Sequence, residues 1–351
     1  MSDIHFGARN DSEFFLDAIL TFSKQTLFPY LQNNNITTLL LLGDIWDRRK
    51  YINFHTLHRV LKEFFDPLCD MNITVKIIYG NHDIFFKNTT EVNSIDLLLD
   101  SYPNIEIVDF AKEFDFDGLR LGMISWIHNG NLTESLDWIN TSTADILCGH
   151  FEINDFEITD GIKAKHGFDS SIFKRFEYVF SGHFHTMSNN GQIFYLGNPH
   201  QLTWSDYGLK KGFHIFDTDT RQISLIENPY KIYEKHYYKD DVDLLTFDFN
   251  EFNNKIVRIY VDTLELKSRQ KFDLFVDKMS QVGYDISVQE MDHSLSTLSN
   301  DSEQEMTSAD ALDYIKQYVD NIDDSIQLNK HMLKTYFNEI YNMAIEKSHN
   351  L

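Results

Sequence analysis

Four apolar runs, each closed by a glycine and then by a polar cluster, set the rhythm of the first two hundred residues. The run in "TTLLLLGDIWD" ends at Leu42 and leads into Gly43, Asp44 and Asp47, and that in "ITVKIIYGNHD" leads into Gly80, Asn81, His82 and Asp83. "ADILCGH" closes on Gly149 and His150, and "YVFSGHFH" on Gly182, His183 and His185. Runs this short and this rich in Leu, Ile and Val predict strands buried on both faces. The stretches between them carry helical spacing, most clearly "DSEFFLDAILTFSKQTLFPYL" and "INFHTLHRVLKEFFDPL". Alternating buried strands and amphipathic helices predict an α/β sheet. Ligands of such sheets gather beyond the carboxyl ends of the strands, and a glycine there lets the backbone turn sharply towards a common cleft.

Beyond Asn228 and Pro229 the pattern changes. "NKIVRIYVDT" predicts a strand, "SRQKFDLFVDKMSQVG" an amphipathic helix and "YDISVQEM" a second strand, together a small α/β unit. "DHSLSTLSNDSEQEMTSA" is polar and acidic and predicts a linker. Two helices close the chain. Leu312, Ile315, Val319 and Ile322 follow 3-4-3 spacing, and Leu333, Tyr336, Phe337, Ile340, Tyr341 and Ala344 form a broad apolar face. Helices this short are marginal alone, so they either fold back on the small α/β unit or, as is expected here, dock helix-in-groove on a partner. The division is therefore 1–228, 229–292, 293–308 and 309–351. In 53–69, Phe54, Leu57, Leu61, Phe64 and Leu68 make one apolar stripe that His58 and Phe65 widen. Most of it is expected to pack on the sheet.

Composition narrows the class. Of 351 residues, 42% are hydrophobic, with 29 Phe and 17 Tyr, which excludes a disordered chain. No apolar run approaches the roughly 20 residues of a membrane span, and no leader peptide fits before Asp3, so an unexported protein of the cytoplasm is expected. Cys69 and Cys148 have no C-x-x-C spacing, which excludes a thiolate metal cluster and a disulfide framework. The net charge of -23 argues against a general nucleic-acid binder. It does not exclude a nucleic-acid enzyme, because bound cations reverse the local sign of an acidic site. The acidity is also uneven, with ten acidic residues and one lysine between positions 289 and 325.

The opening "MSDIHFG" adds Asp3 and His5 to the polar clusters. Carboxylates, an amide and imidazoles without thiolates suit manganese, iron or zinc at paired sites. Two metals sharing a carboxylate clamp the attacking and leaving oxygens of a phosphoryl transfer, and a histidine outside the metals can serve as acid. Singly, each motif has an ordinary explanation: an exposed Asp-His turn, a loop with an Asp helix cap, a tight Asn-Gly turn, a buried core histidine. Five in order, all but the first at the end of an apolar run, are not explained that way.

The ordered set D-x-H, G-D-x-x-D, G-N-H-D, G-H and G-H-x-H resembles the calcineurin-like metallophosphoesterases. The resemblance implies a four-layer αββα sandwich with two divalent metal ions, of which manganese is expected. By position it implies that Asp3, His5 and His185 hold one metal, that Asn81, His150 and His183 hold the other, and that Asp44 bridges them. His82 stands off the metals as acid or transition-state stabiliser. GNHD stands where protein serine/threonine phosphatases carry GNHE, and GDIWDRRK where they carry GD-x-V-D-R-G, which disfavours phosphoprotein hydrolysis. "YLGNPHQLTWSDYGLKKGFHIFDTDT" is similar to the Y-x-G-[ST]-P … K-G-[FV] segment of SbcD-type DNA-repair nuclease subunits. With "CGHFEINDFEITDGIKAKHGFD" it looks nearest to the tailed-phage branch of that family.

That branch implies a DNA nuclease, cytoplasmic in a host cell if phage-encoded, acting with an SbcC-type SMC-like ATPase that binds the C-terminal helices. It also implies a homodimer through helices of the first domain and a DNA-capping role for the small α/β unit. Arg48, Arg49, Lys50 and Lys87 are candidate DNA phosphate contacts. Two alternatives stay open: a small-molecule or cyclic-nucleotide phosphodiesterase, and a scaffold for the ATPase that has lost catalysis. The chain departs from the family pattern twice. Only two residues precede D-x-H where the fold wants a strand, so the support of Asp3 and His5 is expected to be missing and the start truncated. Asp47 stands where cellular relatives often carry His.

Overall fold

Leu41 and Leu42 are neighbours that face different cores, and this alternation builds the layers. The structure, a computed structural model, describes residues 1–159, 162–291 and 337. Strands β1 (Thr38–Leu42), β2 (Thr74–Ile78) and β3 (Ile105–Val108) pair in parallel in that order. Leu41, Val75 and Ile77 pack under helices, whereas Leu42, Ile78 and Val108 point the other way.

That second core is closed by a six-stranded sheet. Along the chain its strands are β4 (Ala111–Phe116), β5 (Leu119–Ile124) and β6 (Ile146–His150) and, after the hairpin β7 (Glu157–Thr159) and β8 (Ile162–Lys163), β9 (Tyr178–Gly182), β10 (Ser188–Asn189) and β11 (Ile193–Tyr195). Their order in space is β10-β11-β9-β6-β5-β4, parallel inside and antiparallel at both edges. Met123, Ile146, Cys148 and Phe180 face the first sheet. Leu147, Val179 and Ile193 face outwards under Ile139, Phe173 and Phe176. The result is the helix–sheet–sheet–helix sandwich that the family resemblance implies.

Helix α1 runs through Glu13–Phe22, widens to a π-turn over Ser23–Leu27 and continues over Phe28–Asn33. Helix α2 does the same over Phe54–Val60, Leu61–Phe65 and Asp66–Asp70. Both widenings precede a proline, Pro29 or Pro67. Proline has no N–H and crowds the carbonyl four residues back, so the preceding turn opens. The α2 stripe is mostly consumed in the core: Phe64, Phe65 and Leu68 are buried, Leu57 and Leu61 pack against the same cluster, and Phe54 is left 86% exposed. Shorter helices α3 (Ser94–Leu99) and α4 (Leu132–Thr141) complete the outer layers.

The N-terminal segment corrects one expectation. Residues 1–6 lie beside β1 and its exit, held by backbone bonds in both directions. Leu42 N donates to Met1 O (2.9 Å), Asp3 N to Gly43 O (3.1 Å), His5 N to Asp44 O (3.1 Å), Phe6 N to Ile45 O (2.8 Å) and Asp47 N to Phe6 O (3.0 Å). Ile4 and Phe6 are buried in the first core. Asp3 and His5 thus have their support, because the exit of β1 offers the carbonyls that a preceding strand was expected to need.

A hairpin of β12 (Gly212–Phe216) and β13 (Ile223–Glu227) leads to a small parallel sheet, β14 (Tyr233–Tyr237), β15 (Ile256–Val261) and β16 (Asp285–Glu290). Helix α5 (Arg269–Val282) covers one face, burying Phe272, Phe275 and Met279 against Val257, Ile259 and Val261. This unit is seated on the sandwich through Ile232, Tyr233 and Ile256 against Ala8, Phe15 and Leu202, and Tyr284 stacks on Phe14 with centroids 3.9 Å apart. Met1–Met291 form one compact unit. The linker expected over 293–308 and the helices expected over 309–351 lie outside the described residues, Phe337 apart.

Candidate metal centre

The strand exits converge. Asp3, His5 and His185 form one group and Asp44, His150 and His183 another, and in each group one donor atom per residue lies within 4.8 Å of the others. All six are buried except the half-buried His183 and His185. Delivering them requires unusual backbone: Asp3 (φ 54°), His5 (φ 52°), Asp44 (φ 50°) and His183 (φ 90°) are left-handed. Such conformations cost of order 1–3 kcal/mol each and persist only where the surroundings over-determine them. Gly43 is also left-handed (φ 82°), and a Cβ there would meet Gly80 N at 2.6 Å. The two loops pack backbone to backbone.

Asp83 ties those loops together. Its buried carboxylate accepts from Asp44 N (2.8 Å), Ile45 N (3.0 Å), Trp46 N (3.3 Å) and Gly80 N (2.9 Å). Burial and the neighbouring Asp44 push it up to about 7. The sequence reading placed Asp83 in its motif without seeing this role.

The second group is fixed by its other atoms. His150 donates Nδ1–H to Leu42 O (2.8 Å), which in the neutral ring leaves a lone pair on Nε2. That lone pair meets only acceptors, Asn81 Oδ1 at 3.1 Å and Asp44 Oδ2 at 3.4 Å. Asn81 Oδ1 is also 2.9 Å from His183 Nδ1. Three acceptors facing one another need a proton or a cation between them, and this is the test that a metal passes here. Without one, burial works against a charge on His150, but Asp44 outweighs it and His150 rises to about 9. Burial takes His183 down to about 3.

In the first group His5 Nε2 and His185 Nε2 face each other at 3.0 Å, with Asp44 Oδ2 3.7 Å from His5 Nε2. Burial holds His5 well below its ordinary value, and its Nδ1 is buried without a hydrogen-bond partner among the described residues. Asp44 therefore borders both groups. Burial alone would raise it, but His150 and His82 hold it well below the carboxylate range. Asp3 joins the groups from below, accepting His183 N at 3.0 Å.

His82 belongs to neither group. Its backbone N donates to Asp44 Oδ1 (2.7 Å) and its Nδ1–H to Asp47 O (2.6 Å), while its ring lies edge-on to His5 at 4.9 Å. Asp47 thus contributes a backbone carbonyl to the site, and its carboxylate is 3.7 Å from His5 Nδ1. Trp126, which the sequence reading missed, walls the second group, its ring 5.2 Å from His183 and 5.7 Å from His150. It follows β5 with no glycine or acid to flag it.

The four candidate cations differ. Arg48 is committed to Asp11 (3.3 Å), Asn10 (2.6 Å) and Tyr51 (2.8 Å). Arg49 has a buried Nη1 without a hydrogen-bond partner among the described residues, and burial lowers its guanidinium while Asp44 opposes the shift. Lys50 and Lys87 are exposed. No helix among the described residues is long and apolar enough to cross a membrane.

Residues 1–187 match the family model described as calcineurin-like phosphoesterase. Exonuclease subunit 1 of Enterobacteria phage T4 is 33% identical over 342 residues, 97% of each chain. The SbcD component of the nuclease SbcCD of Staphylococcus epidermidis is 23% identical over 237 residues, 58% of this chain and 60% of its own length. A solved archaeal phosphodiesterase superposes with a TM-score of 0.32 and 12% identity over 65% of this chain and 96% of its own, a likeness too slight to carry an argument.

Proposed function

This chain belongs to the calcineurin-like phosphoesterase family, and we propose that within it the reaction is metal-dependent hydrolysis of DNA phosphodiester bonds. The observation that carries this reading is the facing of acceptors across two adjoining Asp/His groups, with Asp44 at the border of both. The similarity to proteins named as an exonuclease subunit and a nuclease subunit favours a nucleic acid as substrate, which in our reading is DNA.

Asp3, His5 and His185 would hold one ion, Asn81, His150 and His183 the second, and Asp44 would touch both. Bound divalent ions, manganese in our reading, supply Lewis acidity and a hydroxide at neutral pH. With Nδ1–H committed to the Asp47 carbonyl, His82 keeps Nε2 to carry the proton for the departing sugar oxygen. Arg49 is the cation best suited to a substrate phosphate, since Arg48 is tied to Asn10 and Asp11.

The test compares a single-stranded oligonucleotide, a chromogenic phosphodiester and a cyclic nucleotide, each with manganese and after chelation. The expected result is metal-dependent cleavage with the oligonucleotide as the best substrate. Turnover of the cyclic nucleotide alone would make the chain a small-molecule phosphodiesterase. Metal binding with no cleavage of any of the three would make it a scaffold.

The reading extends to assembly. The chain would act as the nuclease subunit beside an SbcC-type SMC-like ATPase, bound through residues 309–351. Deleting 309–351 should leave cleavage of short single strands intact and abolish co-purification with the ATPase; unchanged co-purification rejects that assignment. A homodimer through α2 would have Phe54 as its remaining apolar contact, and a monomer mass by light scattering at micromolar concentration would rule it out.

A further inference from the structure

The two ligand groups are supported from different places. Asp44, His150 and His183 stand on the strand ends, with His150 anchored to Leu42 O in β1. Asp3, His5 and His185 lean also on residues 198–211, a segment outside both large sheets. From it, His200 Nε2–H donates to Ile4 O (3.1 Å), the carbonyl between Asp3 and His5. Asn198 N donates to His185 O (3.3 Å), and Lys211 Nζ donates to the same carbonyl at 2.9 Å.

Lys211 is only 4% exposed. An ammonium has three N–H donors and no acceptor, and here they match three acceptors: His185 O, Asn198 Oδ1 and Asp206 Oδ1. The Asp206 carboxylate also accepts from Leu202 N (2.8 Å) and Thr203 N (2.9 Å). Burial works against its charge, but Lys211 outweighs that and keeps it below the carboxylate range. The network continues away from the metal groups. Gln201 Nε2 donates to Asp206 O (3.0 Å), while its Oε1 accepts from Ile232 N (2.8 Å) and Tyr233 N (3.0 Å), where β14 begins.

We propose that Lys211 is a positioning residue for the Asp3–His5–His185 group, pinning the His185 backbone and, through Asp206 and Gln201, tying that ligand to the first strand of the small sheet. A purely structural ion pair would need Asp206 alone; one of the ammonium bonds goes instead to the carbonyl of a ligand residue. A shift of that carbonyl turns the His185 ring, whose Nε2 must stay beside His5 Nε2. Asp44, His150 and His183 have no such link to Lys211, so the two metal positions should respond unequally. This inference rests on the metal-centre reading above.

The test titrates full-length Lys211→Met with manganous chloride by calorimetry and follows the ion pair by electron paramagnetic resonance. Wild type is expected to bind two ions per chain and give an exchange-coupled signal. The variant should keep one site at wild-type affinity and lose about 10–100-fold at the other, the usual effect of removing support behind a ligand. At metal concentrations that couple the wild type, it should show the six-line signal of an isolated ion. Lys211→Met/Asp206→Asn leaves no lone buried charge, so it carries the same expectation if the single variant does not fold. Wild-type affinity at both sites in the double variant, or equal weakening of both sites, overturns the proposal. A wild type that binds no manganese overturns the metal-centre reading itself, and this inference with it.

Discussion

His82 and Asp83 are adjacent, yet they serve different ends. His82 holds its ring by one bond to a carbonyl and stands clear of both ligand groups. His82→Ala should therefore keep both metals by elemental analysis while hydrolysis falls about 10²–10⁴-fold, the usual worth of general acid catalysis. Loss of metal would make His82 a ligand instead. Asp83 faces inward, to four backbone N–H groups in two loops. Asp83→Ala orphans those donors, each buried orphan costing about 1–3 kcal/mol. Equilibrium denaturation should show a loss of at least about 3 kcal/mol, and Asp83→Asn should recover part of it because its amide oxygen still accepts. A loss under about 1 kcal/mol would mean that water replaces the carboxylate at little cost.

At the scale of elements, the segment 1–6 is the one whose behaviour is least obvious from its position. Chain ends usually fray, but Asp3, His5 and Phe6 donate to carbonyls at the exit of β1 and are buried there. Their amides should exchange with solvent as slowly as those of β1, within about tenfold, in the metal-free protein. Exchange as fast as an unfolded peptide would mean that Asp3 and His5 are organised only when metal binds. The two long helices show a similar contrast. Their apolar spacing was legible along the chain, and so were Pro29 and Pro67, yet the π-turns come from how the chain relieves each proline without giving up the buried face on either side.

For the molecule as a whole, buried imidazoles set the acid limit. Burial takes His200 and His214 down to about 4, against roughly 6.5 in the unfolded chain. The unfolded state therefore binds protons that the folded state refuses. Their contribution is complete above about pH 6.5 and is lost as pH falls towards 4. His5 and His183 act in the same direction in the metal-free protein. Asp83, pushed up to about 7, opposes by one proton, and Asp3 and Asp47, raised by burial, oppose in the same direction at lower pH, so four imidazoles stand against three carboxylates. At least one net proton remains, so stability should fall by about 1.4 kcal/mol or more per pH unit below 6. At the other end, His150 at about 9 adds stability that is full below about 6.5 and lost as pH rises through 9. Urea denaturation of metal-free protein should show a maximum between these limits; equal stability at pH 5 and 7 would refute the acid branch.

The order of motifs, the strands that precede four of them, the ligand types and the elements β15, α5 and β16 were all set by local signals: an apolar run, a glycine at its end, a spacing of 3.6. Such signals need no knowledge of distant neighbours. What required the tertiary structure depends on pairs far apart in the chain. His5 meets His185 across 180 positions, and the acceptors for Asp3 and His5 lie about forty residues on. Arg48 and Arg49 cannot be told apart as sequence, but folding turns one to Asp11 and leaves the other half-buried near Asp44. Most of the apolar stripe of α2 became core because the first core of the sandwich needed Phe64, Phe65 and Leu68, while Phe54 was left outside it. Residue types decided what chemistry was possible; burial and the placing of backbone donors decided which residues support it, because both are properties of the assembled layers.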